Sequence, residues 1–180
     1  MSLKLCALVF ASFGLMRTCA GVSNDPALMA PPIAGLTAKD LVDTFDQKRG
    51  TSRHEAIDIM EPRGTPVQAV VEGVIVKLFL SKPGGNTIYL FDDSQLYSYY
   101  YAHLDRYAAN LQEGQRVSPG QVIGYVGSTG NASPDAPHLH FAIFRLGPEK
   151  RWWQGTPVNP YELLLGVVAP HLRAHPGVIQ

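Results

Sequence analysis

A chain of 180 residues with 46% hydrophobic and 17% charged residues is long enough for one packed domain and too apolar for disorder. Fifteen basic residues balance fifteen acidic ones, which excludes the basic surplus that a nucleic-acid partner requires. Seventeen glycines and fourteen prolines favour short strands and many turns over long helices.

In chain order, the first element is not a fold element. Lys4 supplies a positive start, Leu5 to Met16 is uncharged, and Thr18-Cys19-Ala20 ends the run on small residues. This is the layout of a secretory signal peptide over 1–20, with cleavage after Ala20 and export to the periplasm or the extracellular space. The apolar run is shorter than the roughly 20 residues of a membrane span, so no stable membrane insertion is expected after cleavage. A lipid anchor on Cys19 is disfavoured, because Met16-Arg17-Thr18 before it is bulky and charged where such cleavage sites are small. Both cysteines, Cys6 and Cys19, leave with this segment, so neither disulfides nor thiolate metal ligands are expected in the mature chain.

Residues 21–50 read as a linker or N-terminal arm, rich in Pro, Ala and Gly up to Leu36. Thr37-Ala38-Lys39-Asp40 resembles a capping box, and Leu41, Val42 and Phe45 follow at helical spacing, which predicts a short helix. From 51 to 166 the pattern is that of a mainly β domain. Strands are predicted over His54–Ile59, Val67–Val71, Val74–Leu80, Thr87–Phe91, Gln95–Leu104, Val122–Val126 and His138–Leu146, with turns at Pro62–Thr65 and Pro83–Asn86. Short strands at this spacing form an antiparallel sheet folded as a partly open barrel or sandwich. Asn159 caps and Pro160 opens a last short helix that Gly166 closes, and 167–180 is a C-terminal tail.

Four of the six histidines, His54, His103, His138 and His140, fall in these strand segments; His171 and His175 lie in the tail. Side chains alternate along a strand, so His54 and Asp58 share one face with only Ala56 between them, while Ile57 and Ile59 face a core. His138 and His140 likewise share a face, opposite Leu139 and Phe141. Two imidazoles and one carboxylate make a three-ligand set that leaves a fourth position open, the pattern of a catalytic zinc site. The histidines left over can handle protons. Tyr97, Tyr99, Tyr100 and Tyr101 alternate faces beside His103, so about half of them are placed to line a substrate groove.

With these motifs the chain resembles the lysostaphin-type (LytM-type) zinc endopeptidases, which cut peptide cross-links of bacterial peptidoglycan. The resemblance runs from about Leu41 to Leu164. It rests on His54-Glu55-Ala56-Ile57-Asp58, then Pro62 to Ala69, Gly73-Val74, Gly85-Asn86, Tyr101-Ala102-His103-Leu104, Gly120 to Gly124, Gly127 to Gly130 and His138-Leu139-His140-Phe141. It implies that His54, Asp58 and His140 hold Zn2+. His103 and His138 would flank the zinc-bound water and the scissile carbonyl, with the base among the two left open. The implied partner is peptidoglycan, through its peptide stems or cross-bridges. Two positions depart from the family: Ala56 stands where glycine is usual, and Ala142 where an acidic residue is usual.

Two other readings are weaker. A non-catalytic relative that regulates other wall enzymes would ordinarily have lost zinc ligands, and here all are present. Val117 to Gly124 resembles part of a lipoyl or biotinyl carrier, yet no lysine lies between Lys82 and Lys150 to carry the group.

Overall fold

The computed structural model describes residues 29–170. The signal segment 1–20 and the histidines of the tail, His171 and His175, lie outside the described residues. Among the described residues no helix is long and apolar enough to cross a membrane.

The architecture is antiparallel β, as expected. Its strands are β1 (Lys48–Arg49), β2 (Ser52–Arg53), β3 (Ile57–Met60), β4 (Pro66–Gln68), β5 (Gly73–Ser81) and β6 (Gly85–Asp92). Then follow β7 (Tyr97–Leu104), β8 (Arg106–Tyr107), β9 (Arg116–Val117), β10 (Val122–Tyr125), β11 (His138–Leu146) and β12 (Gly155–Val158). One helix, α1 (Pro160–Val168), ends the described chain. The main sheet runs β12-β11-β7-β6-β5-β9, a small sheet runs β4-β10-β8, and β1 pairs with β2 alone.

Alternation builds the core. On β11, Leu139, Phe141 and Ile143 have almost no exposed surface, while His138, His140 and Phe144 stay partly open on the other face. Ile57 and Ile59 of β3, Ile88 and Leu90 of β6, and Val67 and Ile123 of the small sheet join the same buried cluster. Each such side chain contributes roughly 1.5–3 kcal/mol by leaving water. Tyr97, Tyr99 and Tyr101 also turn to this cluster, and the Tyr101 hydroxyl accepts a hydrogen bond from the buried Val70 N–H at 3.0 Å. Of the tyrosines expected to divide between two faces, only Tyr100 therefore lies with the histidines.

Strand β11 organises the rest. One edge pairs with β7 over His140–Arg145; the other is shared by β3, opposite His138–Phe141, and β12, opposite Ile143–Leu146. This register sets Asp58, His140 and Ala102 side by side on three adjacent strands.

Four local expectations are corrected. The strand expected from His54 starts only at Ile57, because Glu55 adopts a left-handed φ of 56° and bends the chain. The helix expected after Thr37 is a single turn. The Asp40 carboxylate does accept from the Thr37 N–H and hydroxyl, at 2.9 and 2.7 Å. The Asp43 side chain then takes the Phe45 N–H at 3.1 Å and diverts the backbone from helix. Nor is this segment a mere linker, since Ile33, Leu36 and Leu41 are buried in the core. At the other end, α1 starts as expected, with Asn159 accepting from the Tyr161 N–H at 3.0 Å. It runs past Gly166 to Val168, where Gly166 is buried and serves packing instead of termination.

Candidate metal centre

Five side chains meet where β3, β7 and β11 run together. The Asp58 Oδ1 lies 3.1 Å from His54 Nε2, 3.2 Å from His140 Nδ1 and 3.7 Å from His138 Nε2. His54 Nε2 and His140 Nδ1 are 3.0 Å apart. His103 completes the group, its ring 4.9 Å from that of His138 and 5.5 Å from that of His140. The residues singled out in the sequence are thus all brought together.

His54 and Asp58 converge through a bend and not through strand alternation. The left-handed Glu55 reverses the chain beside the segment Thr44 to Gln47, which takes the Glu55 N–H on Phe45 O and the His54 N–H on Gln47 O, both at 2.9 Å. Ala56, expected between the two ligands on the open face, is fully buried.

Ring orientation follows from the acceptors behind each imidazole. A carbonyl oxygen only accepts, so a ring nitrogen facing one carries the proton. His54 Nδ1 is 3.2 Å from Thr44 O, His103 Nδ1 is 2.8 Å from Thr129 O, and His138 Nδ1 is 2.8 Å from Ala136 O. Each of these rings therefore turns an unprotonated Nε2 toward the centre. His140 is the exception and presents Nδ1.

The charges match a cation. Burial alone would raise the Asp58 carboxyl, but its side-chain contacts with His140 and His54 outweigh it and hold it well below the usual carboxylate range. Burial pushes the His103 imidazole down to about 4, opposed by its bond to Thr129 O and assisted by the nearby His140 and His138. Burial also lowers His140, against the pull of Asp58. One carboxylate among several imidazoles is a suitable donor set for a divalent ion. Ligand atoms about 2.0–2.2 Å from one tetrahedral ion would stand about 3.3–3.6 Å apart, a few tenths of an ångström beyond the spacing of the three atoms seen here.

Two neighbours, Arg49 and Thr44, were not legible as site residues in the sequence, while a third, Tyr100, is one of the four tyrosines from which groove-lining residues were expected. Arg49 donates from Nη2 to Asp58 Oδ2 at 2.6 Å, the oxygen turned away from the histidines. Thr44 backs His54 and, through Oγ1, accepts from the Asp58 N–H at 3.3 Å. Tyr100, opposite Ala142 in register, sets its ring edge-on to His140 at 5.8 Å. The small Ala142 stands opposite Tyr100 on the neighbouring strand.

His103 is gripped by two loops. Its N–H donates to Gly84 O at 2.8 Å, and its own backbone is left-handed, with φ 59°. The loops touch so closely that a Cβ on Gly130 would lie 2.4 Å from Gly85 N, and both glycines have positive φ. The Thr129 hydroxyl ties them, accepting from the Asn86 N–H at 3.0 Å and donating to Leu104 O at 2.7 Å.

Comparison with known proteins agrees with this geometry. The L-Ala–D-Glu endopeptidase of Bacillus subtilis is 35% identical over 130 residues, 69% of this chain and 36% of that protein. The peptidoglycan DD-endopeptidase ShyC of Vibrio cholerae is 36% identical over 97 residues, 54% of this chain and 21% of that protein. The chain thus spans about a third of the length of the first relative and about a fifth of the second. The catalytic domain of the antimicrobial peptidase lysostaphin from Staphylococcus simulans superposes with a TM-score of 0.55 at 31% identity, over 76% of this chain and 87% of that one. The signature of peptidase family M23 matches residues 52–160, which include all five clustered residues, and the chain belongs to that family.

Proposed function

We propose that the chain is a zinc-dependent endopeptidase that hydrolyses peptide cross-links of peptidoglycan. The observation that carries the reading is the convergence of His54 Nε2, Asp58 Oδ1 and His140 Nδ1 within 3.0–3.2 Å, with two further imidazoles beside them. The names of the relatives support the substrate class.

His54, Asp58 and His140 would hold the ion, and a bound zinc supplies Lewis acidity toward a peptide carbonyl and toward water. The protein supplies the proton path. Nε2 of His103 or His138 accepts the proton that water gives up on attacking the carbonyl carbon. The same group returns it to the departing amide nitrogen. Both rings are braced for this by their Nδ1–H bonds to backbone carbonyls, which fix the tautomer.

Digestion of purified peptidoglycan by the zinc-loaded protein, with mass analysis of the products, tests this reading. The expected products are soluble fragments with new amino and carboxyl termini, suppressed by a zinc chelator; intact peptidoglycan after prolonged digestion would overturn it.

The folded unit of this enzyme begins well before residue 51. Thr44, Gln47 and Arg49 all reach the ligands, so the arm builds the site. Arg49 holds the outer Asp58 oxygen and so aims the inner one. Its side chain is half exposed, so the pair adds little to stability. Its effect falls on ligand orientation, where such partners are worth 10- to 100-fold in metal affinity. Arg49→Ala is expected to weaken zinc binding about tenfold in competition with a chromophoric chelator, and Arg49→Lys to recover part of it. An unchanged affinity in Arg49→Ala would reduce the pair to a surface contact.

Export completes the proposal. Residues 1–20 act as the signal, cleavage follows Ala20, and the enzyme works where peptidoglycan lies; N-terminal sequencing of the exported protein reads this directly.

A further inference from the structure

The face that carries the histidines also carries a row of aromatic rings that proton transfer and metal binding do not use. Tyr89 of β6 lies 4.7 Å from Tyr100, which itself borders His140. Trp152, in the hairpin between β11 and β12, packs 4.8 Å from Tyr89 and 5.4 Å from Phe79. Trp153 stands 5.1 Å from Trp152 at 75°. The row is therefore continuous from the candidate metal centre to an indole that is 61% exposed.

Folding does not account for that last ring. Trp153 is outside the core cluster and keeps most of its surface in water. Trp152 beneath it is seated on two other aromatics and holds the pair in place. Polar groups flank the indoles on both sides, Arg151 before and Gln154 after, with Arg151 Nη1 3.5 Å from Gln154 Oε1. The same two residues line a cleft of about 380 Å3 with Arg145, Glu149 and Thr156. An open aromatic face with donors and acceptors on the adjacent residues of the chain complements a ring that is apolar across its C–H face and polar around its rim. A pyranose has that form, and peptidoglycan peptides are borne on a glycan.

We propose that Trp153, supported by Trp152 and with Arg151 and Gln154 close to it in the chain, is a saccharide subsite. It holds an N-acetylated hexosamine ring of the glycan strand while the attached peptide reaches the metal centre across Tyr89 and Tyr100. The subsite rests on peptidoglycan being the substrate.

Two measurements test it. The free N-acetylglucosaminyl-N-acetylmuramyl disaccharide, which contains no peptide to cut, is titrated into the full protein while tryptophan fluorescence is followed. A saturable change is expected in the wild type and none in Trp153→Ala. Cleavage is then compared on a cross-linked peptide with and without its disaccharides. The sugar-bearing form is expected to have about tenfold higher kcat/KM, through KM, and Trp153→Ala to erase that difference without slowing cleavage of the bare peptide. No fluorescence response at millimolar disaccharide would overturn the subsite. So would an equal loss on both substrates, which would make Trp153 a peptide contact. If neither substrate is cut, the proposed peptidase activity fails while the titration still decides the subsite.

Discussion

Purified wild-type protein is expected to carry about one zinc per chain, and His140→Ala or Asp58→Ala to carry almost none. The expectation follows from how the set is built. Asp58 Oδ1 is the one anionic atom that faces both His54 and His140, so its loss removes the charge that favours a divalent ion. Losing His140 removes the only ligand contributed by β11, and the remaining His54–Asp58 pair offers two donors where a stable site needs three or four. Metal analysis after mild dialysis reads the result. Zinc should also raise the melting temperature of the wild type and leave both variants unmoved, since only a state that binds the ion is stabilised by it. Wild-type protein that stays zinc-free after refolding with zinc would remove the basis for metal catalysis here.

The second large effect separates holding the metal from moving protons. His103→Ala and His138→Ala are expected to keep a full zinc complement and to lose hydrolysis by roughly 10²–10⁴-fold, the usual contribution of a positioned acid or base. His103 needs a control. Its left-handed backbone disfavours alanine, so His103→Asn, which tolerates that conformation, should fold more readily than His103→Ala and be equally inactive. Zinc content and peptide cleavage measured on the same preparations decide the matter. Loss of metal in either histidine variant would move that residue into the ligand set.

Much of this site was legible because strands impose a period of two. His138 and His140 share a face for that reason, and the apolar partners Leu139 and Phe141 fixed which face. His54 and Asp58 came out as neighbours by a different route, a bend at Glu55 that periodicity cannot express. The same limit hid Thr44 and Arg49. Their roles depend on where an irregular segment folds back, and a lone arginine after a glutamine and a lysine has no pattern to mark it. The capping signal at Thr37 was read correctly as a local bond and wrongly as a helix, because Asp43 competes for the next backbone group. The strand β12 escaped notice since its residues Gly155-Thr156-Pro157-Val158 resemble a turn; pairing with β11 makes them a strand.

The contact between His54 and His140 joins residues 86 positions apart. Closing so long a loop costs conformational entropy before any bond rewards it. His54 and Asp58 are local to each other, but they gain their third ligand only when β11 docks between β3 and β7. Metal capture is thereby coupled to the completion of the topology: a nascent or partly folded chain has no competent site, and a finished one gains the ion's binding energy as folding energy. On the proposed function, the chain would offer no peptidase site before it has become a domain.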